Sequence, residues 1–210
     1  CYLYGGTASF HGGNAYNGEE GGHGIYAAGT YVYGPGNSGT RLTASGGAGS
    51  MSYENARGGC GIFGTENDVS AAADIRGGNG NVAAPAIFSY RSCEFGCVNA
   101  ELYGGRNASN GLALPIQFDK SVEGIWYYHP HTTVAKDYGH YSITVNRYRL
   151  ALLGNGGWRG NATFTDLVDY YPAYYDLSEY AFSRDGYTQV AWTSASGDLV
   201  PLEKLFTPRG

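Results

Sequence analysis

Short runs of alternating apolar and polar residues mark the second half of the chain. Apolar side chains occupy every other position over 112–118 and over 141–145, and residues 122–128 and 188–193 form two further β-prone runs, each with a tryptophan. Because side chains point alternately to the two faces of a strand, these runs are predicted to be half-buried strands. Residues 164–179, interrupted by Pro172, are predicted to hold a short helical turn.

Glycine pairs divide the first half of the chain. Of the 35 glycines, 26 lie within residues 1–111, and the pairs separate β-prone pieces at 24–33, 41–44, 86–90 and 98–103. The pairs recur at irregular intervals, which weakens a solenoid interpretation because solenoids repeat with a fixed period. Glycine and asparagine supply the positive φ angles of tight connections, so we interpret the glycine pairs as hairpin turns.

These patterns predict an all-β protein with many short strands, Gly-rich turns and little helix, built as a β-sandwich or jelly roll. A single domain over residues 1–210 is expected. The alternative is a sub-boundary near residue 111, because residues 112–210 hold all three tryptophans and 11 of the 20 tyrosines.

The charge pattern argues against two classes of binding partner. Charged residues make up 15% of the chain, the net charge is −5 and no run of Lys or Arg occurs, which argues against nucleic acid and anionic membranes. No apolar run approaches the roughly 18 residues needed for a membrane span.

The Gly- and Tyr-rich composition indicates an extracellular or cell-surface location. A chain that begins at Cys1 resembles mature bacterial lipoproteins, which are lipidated on that residue; an arbitrary cleavage boundary is the alternative.

The four cysteines are predicted to form disulfides, as extracellular cysteines commonly do. Cys93 and Cys97 flank a short loop that contains a glycine, so we expect them to pair and leave Cys1 with Cys60. A zinc site is the alternative, and it is disfavoured because the nearest histidine in sequence to Cys97 is His129.

An aromatic cluster over residues 126–131 is the leading candidate for ligand binding. Strand alternation puts Trp126 and Tyr128 on one face and Tyr127 and His129 on the other, so at least one ring is expected to be exposed. Exposed rings stack on the apolar faces of sugars. The alternative is that Trp126 and Tyr128 pack in the core and Tyr127 covers an edge. The candidate ligand contacts are Trp126, Tyr127, His129, Trp158 and Tyr174.

The sequence evidence for a metal site or for catalysis is weaker than that for ligand binding. Histidines 129 and 131 with His140 or Asp137 match no established zinc spacing. The tyrosine- and aspartate-rich segment 166–176 suits calcium as an alternative, and otherwise no cofactor is expected. No serine-hydrolase elbow, metalloprotease motif or phosphate loop occurs. A hydrolase would therefore need an unmarked carboxylate pair, with Glu123 beside Trp126 as one source.

Residues 112–206 resemble secreted jelly-roll domains of gut bacteria. The resemblance rests on the motifs Phe118-Asp119-Lys120-Ser121-Val122, Ser142-Ile143-Thr144-Val145 and Tyr175-Asp176-Leu177-Ser178. It implies a cell-surface, glycan-associated β-sandwich and assigns no residue. From the composition and the aromatic cluster, we expect a secreted or surface-anchored module that binds carbohydrate. The alternatives are a self-associating subunit of a filament, adhesin or viral particle, and a glycoside hydrolase.

Overall fold

The computed structural model describes residues 1–15, 20–33, 40–96, 98–121, 124–128, 132–146, 148–169, 175–194, 196–202 and 205–206. The chain forms two compact units, Cys1–Val145 and Asn146–Gly210. Residue 111, near which the alternative sub-boundary was expected, lies inside the first unit. The segment 112–206, on which the resemblance rests, includes residues of both units. Among the described residues, the regular secondary structure of both units is strand apart from one short 3₁₀ helix, so the all-β prediction is confirmed.

The first unit contains twelve strands among its described residues. They are β1 Tyr2–Tyr4, β2 Thr7–His11, β3 Ile25–Tyr33, β4 Arg41–Ser45, β5 Ile62–Ser70, β6 Ala72–Arg76, β7 Ile87–Phe95, β8 Ala100–Tyr103, β9 Ile116–Phe118, β10 Ile125–Tyr128, β11 Thr132–Asp137 and β12 His140–Val145. Each β-prone run predicted in this part of the chain overlaps one of these strands.

These strands form two six-stranded sheets. Sheet A has the order β1-β3-β5-β7-β10, with β9 also paired to β7, and sheet B has the order β11-β12-β8-β6-β4-β2. All pairs in sheet A are parallel, as are the pairs among β2, β4, β6 and β8, whereas β12 runs antiparallel to both β8 and β11. From β1 to β9, successive strands along the chain alternate between sheet A and sheet B.

This topology overturns the hairpin interpretation of the glycine pairs. A hairpin joins neighbouring antiparallel strands, but here the paired strands are parallel and a strand of the other sheet separates them in sequence. A jelly roll is likewise built from antiparallel strands, so the sheets of this unit are connected differently. The alternation of strands between the two sheets repeats along the chain. The glycine pairs are nevertheless irregularly spaced in sequence, because the connections between strands vary in length. The argument from irregular spacing against a repeating structure was therefore wrong.

The inner faces of the two sheets form one hydrophobic core. The alternation predicted for β12 is confirmed, since Ile143 and Val145 are buried while Thr144 is exposed. The largest fully buried apolar side chains of this core come from both sheets: Val32, Leu42, Ile62, Val69, Ile75, Ile87, Phe95, Leu102 and Ile143.

Glycine-rich segments lead from each of the strands β2, β4, β6 and β8 of sheet B to the next strand of sheet A. These connections are residues 12–24, 46–61, 77–86 and 104–115. Their described backbones hydrogen-bond to one another, and we call this array the glycine lattice. The amide of Gly47 donates to the carbonyl of Gly22, that of Gly59 to Gly47, and that of Gly78 to Gly59, at 2.8, 2.9 and 2.8 Å.

The lattice is too tight for side chains at its buried positions. A Cβ atom on Gly47 would overlap the carbonyl of Gly13, and one on Gly59 would overlap the carbonyl of Gly22. Only glycine allows backbones to approach so closely, as at the axis of the collagen triple helix. Most glycines of these pairs are therefore packing positions.

The predicted disulfides are wrong for the cysteines that the structure describes. Cys1, Cys60 and Cys93 are free thiols, and Cys97 lies outside the described residues. Cys1 is exposed, whereas Cys60 is buried in the glycine lattice and Cys93 faces the core from β7. Burial raises the pKa of the Cys60 thiol to about 12 and also raises the pKa of the Cys93 thiol. Both buried sulfurs are therefore protonated and unreactive.

The second unit is smaller and contains three two-stranded sheets among its described residues. Its strands are β13 Tyr148–Leu153 with β14 Phe164–Asp169, β15 Tyr175–Asp176 with β18 Leu205–Phe206, and β16 Ala191–Thr193 with β17 Leu199–Pro201. A 3₁₀ helix covers Leu177–Tyr180, at the end of the segment where a helical turn was predicted. Leu152, Leu177, Phe182 and Trp192 form its small core. Within the described parts of both units, no helix has the length and apolarity to cross a membrane.

Candidate functional site

The outer faces of the two sheets differ in chemistry. The outer face of sheet B carries short polar and charged side chains that bind one another. Arg76, for example, donates two hydrogen bonds to Asp74, at 2.7 and 3.0 Å, and its guanidinium lies 4.6 Å from the ring centre of Tyr103. The outer face of sheet A carries aromatic rings in large number, so it is the stronger candidate for ligand binding.

Three aromatic rings stand side by side across sheet A. Tyr26, Phe63 and Phe88 share one register position on β3, β5 and β7. Their ring centres are 5.2 and 5.0 Å apart and both pairs are tilted by only 9°. We call these three residues the aromatic ladder. Parallel in-register pairing produces it, because neighbouring strands lie about 4.8 Å apart, which is close to a stacking distance.

Stacking within the aromatic ladder covers most of the ring faces of its three residues. One ring face stays open at the Tyr26 end. Tyr90 packs edge-on against Phe63 and Phe88, and His23 stacks on Phe63 at 4.6 Å. Tyr26 ends the ladder on the β1 side, where β1 pairs only with residues 31–33, and its side chain is 74% exposed. Phe63 is therefore a packing residue, while Tyr26 offers ring surface to a ligand.

His23 connects the ladder to the glycine lattice. Its Nδ1 accepts a hydrogen bond of 2.9 Å from the backbone amide of Cys60, so this nitrogen carries no proton. Burial lowers the pKa of His23 below its ordinary value, against a smaller opposing effect of Glu20. The ring is therefore held neutral beneath the aromatic surface.

A second register position crosses five strands of sheet A. It holds Tyr2, Tyr31, Asp68, Glu94 and Tyr127 on β1, β3, β5, β7 and β10 in turn. We call these five residues the tyrosine–carboxylate row. Tyr2 stacks on Tyr31 at 5.0 Å with a tilt of 14°. At the other end, Tyr127 is 55% exposed beside Glu94. The row thus combines ring surface at both ends with charged acceptors between them.

Hydrogen bonds hold the polar atoms of this face in place. The Tyr33 hydroxyl donates to Asp68 at 2.9 Å and the Tyr31 hydroxyl donates to Glu66 at 3.3 Å. Arg91 also donates to Glu66, at 3.0 Å. The bond to Asp68, with burial and the carboxylate charge adding to it, raises the pKa of Tyr33 to about 12. The face therefore presents oriented phenols and carboxylates at neutral pH.

The predicted contact residues do not all fall on this face. Tyr127 belongs to the tyrosine–carboxylate row. Trp126 lies opposite Cys93 in the register of β10, and its side chain is outside the described part of the structure. His129 and Tyr174 are outside the described residues altogether. Trp158 belongs to the second unit, where it is 42% exposed and exchanges two backbone hydrogen bonds with Ser183.

Sequence reasoning missed most of the rings on sheet A. The missed residues are Tyr2, Tyr4, Tyr26, Tyr31, Tyr33, Phe63, Phe88 and Tyr90. One signal was available, because the aromatic residues at 31 and 33 alternate along a predicted strand. Their partners on neighbouring strands are distant in sequence and meet only through the parallel register.

A serine–histidine–carboxylate group on sheet B lacks the order that catalysis needs. Glu101 accepts a hydrogen bond from Ser142 at 2.8 Å, and its other oxygen lies 2.6 Å from Nε2 of His140. The carboxylate thus separates the hydroxyl from the imidazole. A serine nucleophile requires the imidazole to contact the hydroxyl, so we interpret this group as a surface network.

No cluster of three potential metal ligands occurs among the residues that the structure describes. Asp137 and His140 are partners in the β11–β12 pair, but His129 and His131 lie outside the described residues. Residues 170–174 of the segment suited to calcium are also outside them, as are the side chains of Asp166, Asp169 and Asp176.

No protein-family model, curated protein or solved structure matches this chain.

Proposed function

We propose that the outer face of sheet A binds carbohydrate and that the protein is an extracellular or cell-surface binding module. The observation that carries the proposal is the open ring surface at the Tyr26 end of the aromatic ladder and at both ends of the tyrosine–carboxylate row, beside carboxylates and phenols in fixed positions. A sugar ring has an apolar face of C–H groups and a rim of hydroxyls, and it needs both kinds of partner.

The geometry separates contact rings from packing rings. Tyr2, Tyr4, Tyr26 and Tyr127 are exposed and lie at the ends or edge of the face. Asp68 and Glu94 have no cationic partner among the described residues. Asp68 accepts hydrogen bonds from Tyr33 and Ser70, one on each oxygen, and each oxygen keeps a second lone pair for a sugar hydroxyl.

A glycan array probed with purified wild-type protein, followed by calorimetry on a bound glycan, tests the proposal. We expect Tyr26→Ala and Tyr127→Ala each to weaken binding about tenfold, the loss of roughly one aromatic stacking contact. The melting temperature should stay within a few degrees of wild type, because both rings are largely exposed. Tyr138→Ala is the matched control, since Tyr138 is an exposed tyrosine in the turn between β11 and β12.

Absence of glycan binding by folded wild-type protein would overturn the proposal. Equal loss of binding in the Tyr138 control would also contradict it, because the effect would then not belong to sheet A. If a bound glycan is found, analysis of the mixture for cleavage products tests the hydrolase alternative with Glu66, Asp68 and Glu94 as the candidate carboxylates.

A second candidate function is assembly with further copies of the chain. Strands β1 and β2 each pair on one side only in the described structure, so both sheets end in an open edge. Open edges are templates for pairing with another chain. Light scattering over a concentration series tests this candidate, and a monomer at all concentrations would exclude it.

A further inference from the structure

The second unit contains a cleft of about 850 Å³. Apolar side chains of its small core form part of the lining, namely Leu152, Leu177, Phe182 and Trp192. Phe182 and Trp192 meet edge-to-face with ring centres 5.7 Å apart. The cleft therefore has an apolar wall that would lie against a ring or alkyl chain.

Arg184 gives this cleft a single charge. It is the only charged residue among the described residues that line the cleft, and no acidic side chain in the described structure pairs with it. Its guanidinium lies 4.4 Å from the ring centre of Tyr187. Its Nη1 also lies 3.3 Å from the position a Cβ would take on Gly156, so the small residue leaves room for it. The guanidinium therefore packs on a ring and has no acidic partner among the described residues.

Trp192 is buried in the apolar wall of this cleft. The residue is 9% exposed, and its Nε1 is buried without a hydrogen-bond partner among the described residues. Such a group loses free energy relative to water unless it finds an acceptor. By contrast, Gln189 on the same lining already accepts a hydrogen bond of 2.8 Å from the amide of Phe182.

We propose that this cleft binds a small organic carboxylate with an apolar body. The planar guanidinium of Arg184 matches the two oxygens of a carboxylate, and the apolar wall accepts the rest of the molecule. The site lies within the second unit, and the proposal does not depend on carbohydrate binding at sheet A.

Phenylacetate and its uncharged analogue phenylacetamide are suitable probes. Calorimetry and the indole N–H resonance of Trp192 report binding. We expect saturable binding of phenylacetate, at least tenfold weaker binding of phenylacetamide, and a shift of the Trp192 resonance with phenylacetate. Arg184→Gln should weaken phenylacetate binding at least tenfold, with little effect on folding because Arg184 is exposed.

Arg159→Gln is the matched control. Arg159 also lies over a tyrosine ring in the same unit, 5.2 Å from the ring centre of Tyr180, but it does not line the cleft. This variant should bind phenylacetate like wild type. Equal affinity for the acid and the amide, unchanged binding in Arg184→Gln, or no saturable binding by folded wild type would each overturn the proposal. Arg184→Lys serves if the glutamine variant does not fold, and it should retain only part of the affinity.

Discussion

Replacement of Gly47 by alanine tests the glycine lattice directly. The new Cβ would overlap the backbone of Gly13, so the two segments must separate. Two lattice hydrogen bonds meet at this residue, one from its amide to Gly22 and one to its carbonyl from Gly59. A buried backbone group left without its partner costs about 1–3 kcal/mol. The two bonds together therefore represent about 2–6 kcal/mol, a large part of a typical stability of about 5–15 kcal/mol.

The middle of this range is a loss of about 4 kcal/mol, and each kcal/mol lowers the melting temperature of a chain of this size by about 2–4 °C. We therefore expect Gly47→Ala to lower the melting temperature by roughly 8–16 °C. The control is Gly13→Ala. Gly13 belongs to the same lattice, but a Cβ added to it would have no atom within 4 Å, and its φ is not positive. Because alanine restricts the unfolded chain, this variant should be as stable as wild type or about 0.4–1 kcal/mol more stable. Thermal melts followed by circular dichroism measure both. Equal melting temperatures for the two variants would refute the packing argument.

Two further outcomes follow from buried groups. In native protein, Ellman's reagent should modify Cys1 but neither Cys60 nor Cys93, and mass mapping that finds rapid modification of Cys93 would contradict the buried position. The lowered pKa of His23 means that its contribution to stability is complete above the ordinary value of 6.5 and is lost as the pH falls through the folded pKa. Urea unfolding at about pH 7.5 and about pH 5 should therefore show a smaller pH-dependent loss in His23→Gln than in wild type, and an equal loss would rule this linkage out.

The strand content could be predicted from the sequence, but the pairing could not. Alternation over 141–145 identified the buried face of β12 correctly, because the period of two depends only on the pleat. That period is the same in parallel and antiparallel sheets. A glycine pair also suits a hairpin and a close backbone contact equally well, so the sequence did not distinguish them.

The disulfide prediction failed because side-chain direction decides pairing. Cys93 and Cys97 are close in sequence, but alternation along β7 turns Cys93 into the core. Composition indicated an oxidising location without specifying which cysteines face each other.

The candidate site was only partly predictable for a related reason. Tyr127 was found because it lies in an aromatic cluster that is local in sequence. Tyr26, Phe63 and Phe88 are separated by 37 and 25 residues, and only the parallel register of β3, β5 and β7 brings them together.

The glycine lattice also has a consequence for the heat capacity of unfolding. Exposure of apolar surface raises this quantity, whereas exposure of polar backbone lowers it. The lattice is backbone packed on backbone, so its unfolding exposes peptide groups with little hydrocarbon. The first unit should therefore have a smaller heat-capacity change per residue than a protein of equal length with a conventional core. Its free energy of unfolding should vary less steeply with temperature and remain favourable to folding over a wider range.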